Sequence, residues 1–158
     1  MKRLRRSVDT SVIGGCLDEE FAEESRALVE MARNGDICLL VSDTLLVELE
    51  DAPPDVSAIL ASVPPEHTEL LVRSAEVVHL QERYLAGGVL GPKSDDDALH
   101  VAFASVARAD LLVSWNFKHI VHYDKIRMFN GINLLEGYST IDIRSPKEVM
   151  RYDEEQDI

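Results

Sequence analysis

Four places in the chain put oxygen ligands next to apolar runs. Val8-Asp9-Thr10-Ser11 closes the first short apolar stretch, and Glu48 stands inside Leu45-Leu46-Val47-Glu48-Leu49. Asp95-Asp96-Asp97 opens a long helical pattern, and Ser114-Trp115-Asn116 follows Leu111-Leu112-Val113. Carboxylate, carbonyl and water oxygens are the donors that hard divalent cations such as Mg²⁺ take. Taken singly, each residue also has a structural reading. Asp9 can cap the turn after a strand, and Glu48 can be the solvated face of an apolar helix. Asp97, three residues after Ser94, can complete a variant capping box and complement the helix dipole. Asn116 can start a turn. Their order along the chain makes a shared site worth pursuing.

The elements that would position them alternate. A short strand near residues 4–8 ends at Asp9, and Asp18 to Arg33 reads as an amphipathic helix stopped by Asn34-Gly35. Ile37-Cys38-Leu39-Leu40-Val41 is a continuous apolar run of strand length, as expected for a strand buried on both faces. Ser42 or Thr44 can cap the next helix, through about Glu50, which ends before Pro53-Pro54. Two or three helices fill residues 55–88, and Gly87-Gly88 and Gly91-Pro92 mark a loop. Ser94 to Arg108 is the clearest helix, followed by a strand at Leu111-Leu112-Val113, a helix near 122–136 and a strand near 140–143. Ser145-Pro146-Lys147-Glu148 combines a cap, a proline at the first helical position and a capping-box Glu. Strands alternating with helices predict an α/β fold with a central, mainly parallel sheet flanked by helices. Ligands of such sheets bind outside the carboxyl ends of the strands, where Asp9 and Asn116 fall.

Composition sets the outer bounds. A chain of 158 residues is one domain on the prior of about 150 residues per domain, and its 46% hydrophobic and 28% charged content is that of a globular protein. The reading is a single domain over residues 1–150 with an acidic tail over 151–158. Cys16 and Cys38 are isolated, as expected for reduced thiols in a cytoplasmic protein. No apolar run approaches the ~18 residues of a membrane span, and the basic start is not followed by the apolar stretch of a signal peptide. The formal net charge is −13, and −17 with the four basic residues at positions 2–6 set aside. Such a chain has no generic grip on phosphate backbones, which depends on Lys and Arg.

The segments that carry the acids resemble the motifs of the PIN-domain nucleases. Val8-Asp9-Thr10-Ser11-Val12 is similar to their opening, and Ser42-Asp43-Thr44-Leu45-Leu46-Val47-Glu48-Leu49 resembles their second motif. Asp97-Ala98-Leu99-His100-Val101-Ala102-Phe103-Ala104 resembles the third, and Ala109 to Ile120 resembles the fourth. The nearest branch is the VapC-like ribonuclease toxins of type II toxin–antitoxin pairs. The resemblance implies a PIN-like fold and metal ligation by Asp9, Glu48 and Asp97. Asn116 falls at the fourth, often acidic, catalytic position, and Ser11 and Ser114 match supporting hydroxyls. It implies Mg²⁺ or Mn²⁺ as cofactor, RNA as substrate, a small antitoxin as partner and a homodimer. Hydrolysis of a phosphodiester needs an activated water and stabilisation of developing negative charge, both of which divalent metals supply. The chain departs from the family at Asn116 and at His119, near which many members carry an acid. That departure keeps open a PIN-like binding or regulatory module with impaired catalysis.

Other candidates are weaker. His119-x-x-His122 has the beginning of zinc spacing but no third ligand. His100 lies one turn after Asp97, a spacing that can turn it to the cleft, and is expected to pack beside Phe103. Trp115 is expected beneath the site instead of stacking on a base. Lys93, Arg108, Lys118 and Arg127 are either RNA contacts or solvated surface charges. The partner's groove is expected along residues 55–88.

Overall fold

The strand at Leu4–Val8 (β1) becomes the centre of the fold because both of its flanks are claimed by apolar runs. The computed structural model describes residues 3–156. Ile37–Ser42 (β2) pairs with β1 on one side and Leu111–Val113 (β4) on the other. Thr68–Leu71 (β3) and Ile143–Arg144 (β5) form the edges, giving a five-stranded sheet in the order β3-β2-β1-β4-β5, parallel throughout. The parallel connections are made by helices α1 (Thr10–Gly15), α2 (Ala22–Arg33), α3 (Asp43–Glu50), α4 (Pro54–Ala61), α5 (Ala75–Ala86), α6 (Asp95–Val106) and α7 (Tyr123–Leu135), and α8 (Pro146–Gln156) follows β5.

Successive strand residues point to opposite faces, and the core divides accordingly. Leu40 and Leu112 join Val77, Leu80, Tyr84, Phe103 and Phe129 on the face covered by α5, α6 and α7. Leu39, Val41 and Val113 join Val12, Ile13, Leu28 and Leu45 on the other. On the first face the Tyr84 hydroxyl bonds Asn133 Oδ1, and Asn133 Nδ2 donates to Ser105 Oγ at 2.9 Å. This buried network ties α5, α6 and α7 together, each polar group satisfied by another.

Several expectations need correction. The stretch 55–88 is not helical throughout, because β3 lies inside it. Its Thr-Glu-Leu-Leu is too short to show a period, and only pairing with β2 makes it a strand. The helix expected from Asp18 begins at Ala22, since Asp18 Oδ1 accepts the Glu20 N–H at 2.9 Å and holds residues 18–20 in a turn. Helix α1 was not legible: Thr-Ser-Val-Ile-Gly-Gly has poor intrinsic propensity, and burial of Val12 and Ile13 supplies the driving force. The Ser94 capping box does not form; Pro92–Ser94 make a 3-10 turn and the Ser94 side chain caps nothing. The strand expected near 140–143 is confined to Ile143–Arg144.

Two capping predictions hold. Ser42 Oγ accepts the Leu45 N–H at 3.0 Å. Ser145 and Glu148 form a reciprocal box, with Glu148 N to Ser145 Oγ at 3.3 Å and Ser145 N to Glu148 Oε1 at 3.2 Å. The helix they start runs through residue 156, so the boundary expected after residue 150 falls inside α8. Asp153 on α8 forms a two-point ion pair with the buried Arg6 of β1, both contacts at 3.1 Å. Residues 157–158 of the expected tail lie outside the described residues.

Candidate active site

The carboxyl ends of β1 and β4 deliver the first acid and its supports. Asp9 stands at the N-cap position of α1, yet its side chain does not cap the helix. Its carboxylate is buried, 4% exposed, and is held from two directions. The Ser11 hydroxyl donates to Oδ1 at 2.5 Å and the Ser114 hydroxyl donates to Oδ2 at 2.6 Å. Both hydroxyls are held in turn: Ser11 Oγ accepts the Trp115 N–H at 3.0 Å, and Ser114 Oγ accepts the Asn116 N–H at 2.9 Å. One carboxylate thereby joins the ends of two adjacent strands. The Asp9 side chain does not cap α1, and the hydroxyls of Ser11 and Ser114 hold its carboxylate in place.

Trp115 lies beneath this network. Its ring stacks on Phe21 with centroids 4.2 Å apart, and Nε1 donates to Ser25 Oγ at 2.7 Å. It is a packing residue, as expected, and offers no free face to a base. Gly15 is required here, because a Cβ at that position would meet Ser25 Oγ at 2.6 Å and Trp115 Nε1 at 2.9 Å.

Glu48 comes from α3, whose start is fixed by the Ser42 cap. His100 on α6 meets it, Nε2 to Oε1 at 2.9 Å, with the imidazole 5% exposed. Burial pushes the Glu48 carboxyl up, but the His100 hydrogen bond and charge bring it below its ordinary value. Burial pushes His100 down, and this is outweighed by the bond to Glu48 and the charges of Asp9, Glu48 and Asp97, so it titrates above its ordinary value. Asp97, in the first turn of α6, is half-buried. Burial raises its carboxyl above the usual range and the charge of Asp9 adds to this, while His119, His100 and the Asn116 amide oppose it. The three acids named from sequence thus act on one another or on the same imidazole. Among the described residues, no group of three or more His, Cys, Asp or Glu side chains is already arranged to hold a metal ion.

Asn116 uses its side-chain oxygen locally, accepting the His119 N–H at 2.9 Å and fixing the turn after β4. His119 Nδ1 is buried without a hydrogen-bond partner, and no zinc cluster surrounds His119 and His122 among the described residues. Lys93, Arg108, Lys118 and Arg127 are all exposed, and Arg127 lies over the Tyr123 ring. A groove of about 460 Å³ beside Glu48 is lined by Asp43, Thr44, Val47, Arg73 and Asp96. Sequence reasoning missed the pairing of His100 with Glu48. The spacing from Asp97 puts His100 on the same helix face, but nothing in the sequence names Glu48, 52 positions away, as its partner.

A PIN domain family model matches residues 7–118. The chain belongs to the PIN domain family. The matched span holds Asp9, Glu48, Asp97 and Asn116, while α7, β5 and α8 lie beyond it. No curated protein matches the sequence. Among solved structures, this PIN domain is similar to a chain in the crystal structure of VapBC2 from Rickettsia felis bound to a DNA fragment from their promoter. The TM-score is 0.58 at 16% identity, over 90% of this chain and 98% of that one, which is a likeness of fold.

Proposed function

We propose that this PIN domain is a metal-dependent endoribonuclease acting as the toxin of a type II toxin–antitoxin pair. The observation that carries the reading is the buried Asp9 carboxylate, bonded by hydroxyls from two strand ends, with its charge acting on Asp97. Burying a carboxylate is costly unless it is bonded, and this one is held at the end of the sheet where parallel folds bind ligands. The donor set fits a hard divalent cation: Asp9, Glu48 and Asp97 offer carboxylate oxygens. Mg²⁺ or Mn²⁺ would supply an activated water and offset the negative charge that develops as the phosphodiester is cleaved. Ser11 and Ser114 fix the Asp9 carboxylate, His100 holds Glu48, and Asn116 shapes the turn beside them. The similarity to a VapBC2 chain supports a small antitoxin as partner. Leu70 and Val72 are exposed at the β3 edge, within the stretch where the partner's groove is expected. A homodimer and a cytoplasmic location follow from the same reading, and no helix among the described residues is long and apolar enough to cross a membrane.

The test is cleavage of RNA with Mg²⁺ or Mn²⁺, with and without EDTA, in the wild type and Asp9→Asn. Cleavage abolished by chelator and by the substitution supports the reading; cleavage that persists in both refutes it. A second reading, a PIN module that binds without cutting, is favoured by Asn116, whose oxygen is spent on the His119 backbone. It predicts Mn²⁺-independent partner binding and no cleavage under any of these conditions.

A further inference from the structure

His100 is a buried polar group at the site to which no role has been given beyond holding Glu48, and its geometry is specific. The imidazole is 5% exposed, comes from the helix that also carries Asp97, and meets a residue 52 positions earlier in sequence. The contact is one-sided: Nε2 reaches Oε1 at 2.9 Å, and no hydrogen bond holds Oε2 among the described residues. Glu48 is partly exposed, on a stretch of α3 where Leu46 and Val47 face solvent. Asp9 has two hydroxyl partners fixing its rotamer, whereas the long Glu48 side chain has this one strong bond. A flexible carboxylate must lose side-chain entropy to ligate an ion, and a buried partner that holds it beforehand removes that cost. Groups that orient a ligating carboxylate typically change metal affinity by about 10–100-fold when removed.

We infer that His100 is a positioning residue for metal binding: its Nε2–H fixes the Glu48 carboxylate through Oε1 and leaves Oε2 free for a divalent cation. This rests on the metal-dependent reading above. Its charge also reaches Asp97, but its hydrogen bond is made to Glu48, and the part of its effect that depends on Glu48 separates it from a packing role. His100→Leu removes the donor at similar volume, and His100→Gln supplies an amide N–H at nearly the place of Nε2.

The experiment measures Mn²⁺ affinity by calorimetry for the wild type, His100→Leu and His100→Gln, each in the Glu48 and the Glu48→Ala background. The expected result is a loss of about 10–100-fold for His100→Leu with recovery of most of it in His100→Gln, and a much smaller effect of either change once Glu48 is alanine. The coupling between the two sites is the quantity a packing role would not produce. An equal loss in both backgrounds overturns the proposal, as does unchanged or tighter binding in His100→Leu; tighter binding would make His100 a competitor for Glu48. If His100→Leu does not fold, the same comparison is made with His100→Asn, whose amide is too short to reach Glu48, against His100→Gln. Wild-type protein that binds no Mn²⁺ overturns the metal-dependent reading and this inference with it. Wild-type binding with no His100 effect overturns the inference alone.

Discussion

Ser114→Ala tests whether the Asp9 carboxylate is held by strand-end hydroxyls, as the function requires. Ser114 is fully buried and its hydroxyl makes two bonds, donating to Asp9 Oδ2 at 2.6 Å and accepting the Asn116 N–H at 2.9 Å. Alanine leaves a gap the size of one oxygen, too small for a replacement water with its own partners. A hydrogen bond to a charged group contributes about 1.5–3 kcal/mol and a neutral one about 1 kcal/mol. The expected loss is therefore roughly 3 kcal/mol, or about 6–12 °C in melting temperature for a domain of this size. Differential scanning calorimetry of the metal-free protein reads it directly, with Mn²⁺ titration in parallel. Asp9 keeps its Ser11 bond, so metal affinity should fall about 10–100-fold without disappearing. A melting temperature within about 2 °C of the wild type, with unchanged Mn²⁺ affinity, would refute the idea that this hydroxyl carries the load.

The remaining predictions concern charge. Burial holds the Asp97 carboxyl above its ordinary range, so its contribution to stability is full below that range and is lost as pH rises through the raised value. Asp97→Asn should raise the melting temperature of the metal-free protein at neutral pH while abolishing cleavage; a lower melting temperature at neutral pH would contradict the sign. Mn²⁺ at about 100-fold over its dissociation constant should add about 2.7 kcal/mol of stability to the wild type and none to Asp97→Asn, measured by thermal shift. The Glu48 carboxyl is lowered and His100 raised, so their mutual stabilisation fades as pH falls through the first and as it rises through the second. Glu48→Gln should flatten both limbs of the metal-free stability profile, and two intact limbs would show that the pair does not cause them. Asp153→Ala leaves the buried Arg6 charge without its partner and should cost on the order of 3 kcal/mol in urea unfolding. Arg6→Met should cost less, because it removes the charge that needs compensating.

The acids of the site were legible because each stands where an apolar run gives way to a turn or cap. Asp9, Glu48 and Asp97 could be named from that position and from their resemblance to family motifs. What the acids touch was not legible. Ser114 and Asp9 are 105 residues apart, and their bond exists only because β1 and β4 are neighbours in the sheet. The link from Glu48 to His100 likewise depends on how α3 and α6 meet across the strand ends. Edge strand β3 escaped notice for a related reason: four residues carry too little periodicity, and pairing with β2 decides the outcome. Local signals succeeded where the interaction itself is local, as with the Ser42 cap and the Ser145–Glu148 box.

The acidity of the chain has two parts with different consequences. Some of it is gathered at the site, where Asp9 raises Asp97 and all three acids act on His100. A bound cation reverses the sign of such a cluster, so the ion would be both reagent and local countercharge for an RNA phosphate. The rest of the −13 is spread over the domain and cannot be offset this way. The groove beside Glu48 shows the pattern in miniature, with Asp43 and Asp96 flanking the single Arg73. A surface of that sign repels nucleic-acid backbone wherever no cation intervenes. RNA affinity should therefore follow metal occupancy, and a basic protein segment should bind the same acidic surface without metal. Filter binding at physiological salt separates the two: tight RNA retention by EDTA-treated protein would mean that the distributed charge does not govern access to the site.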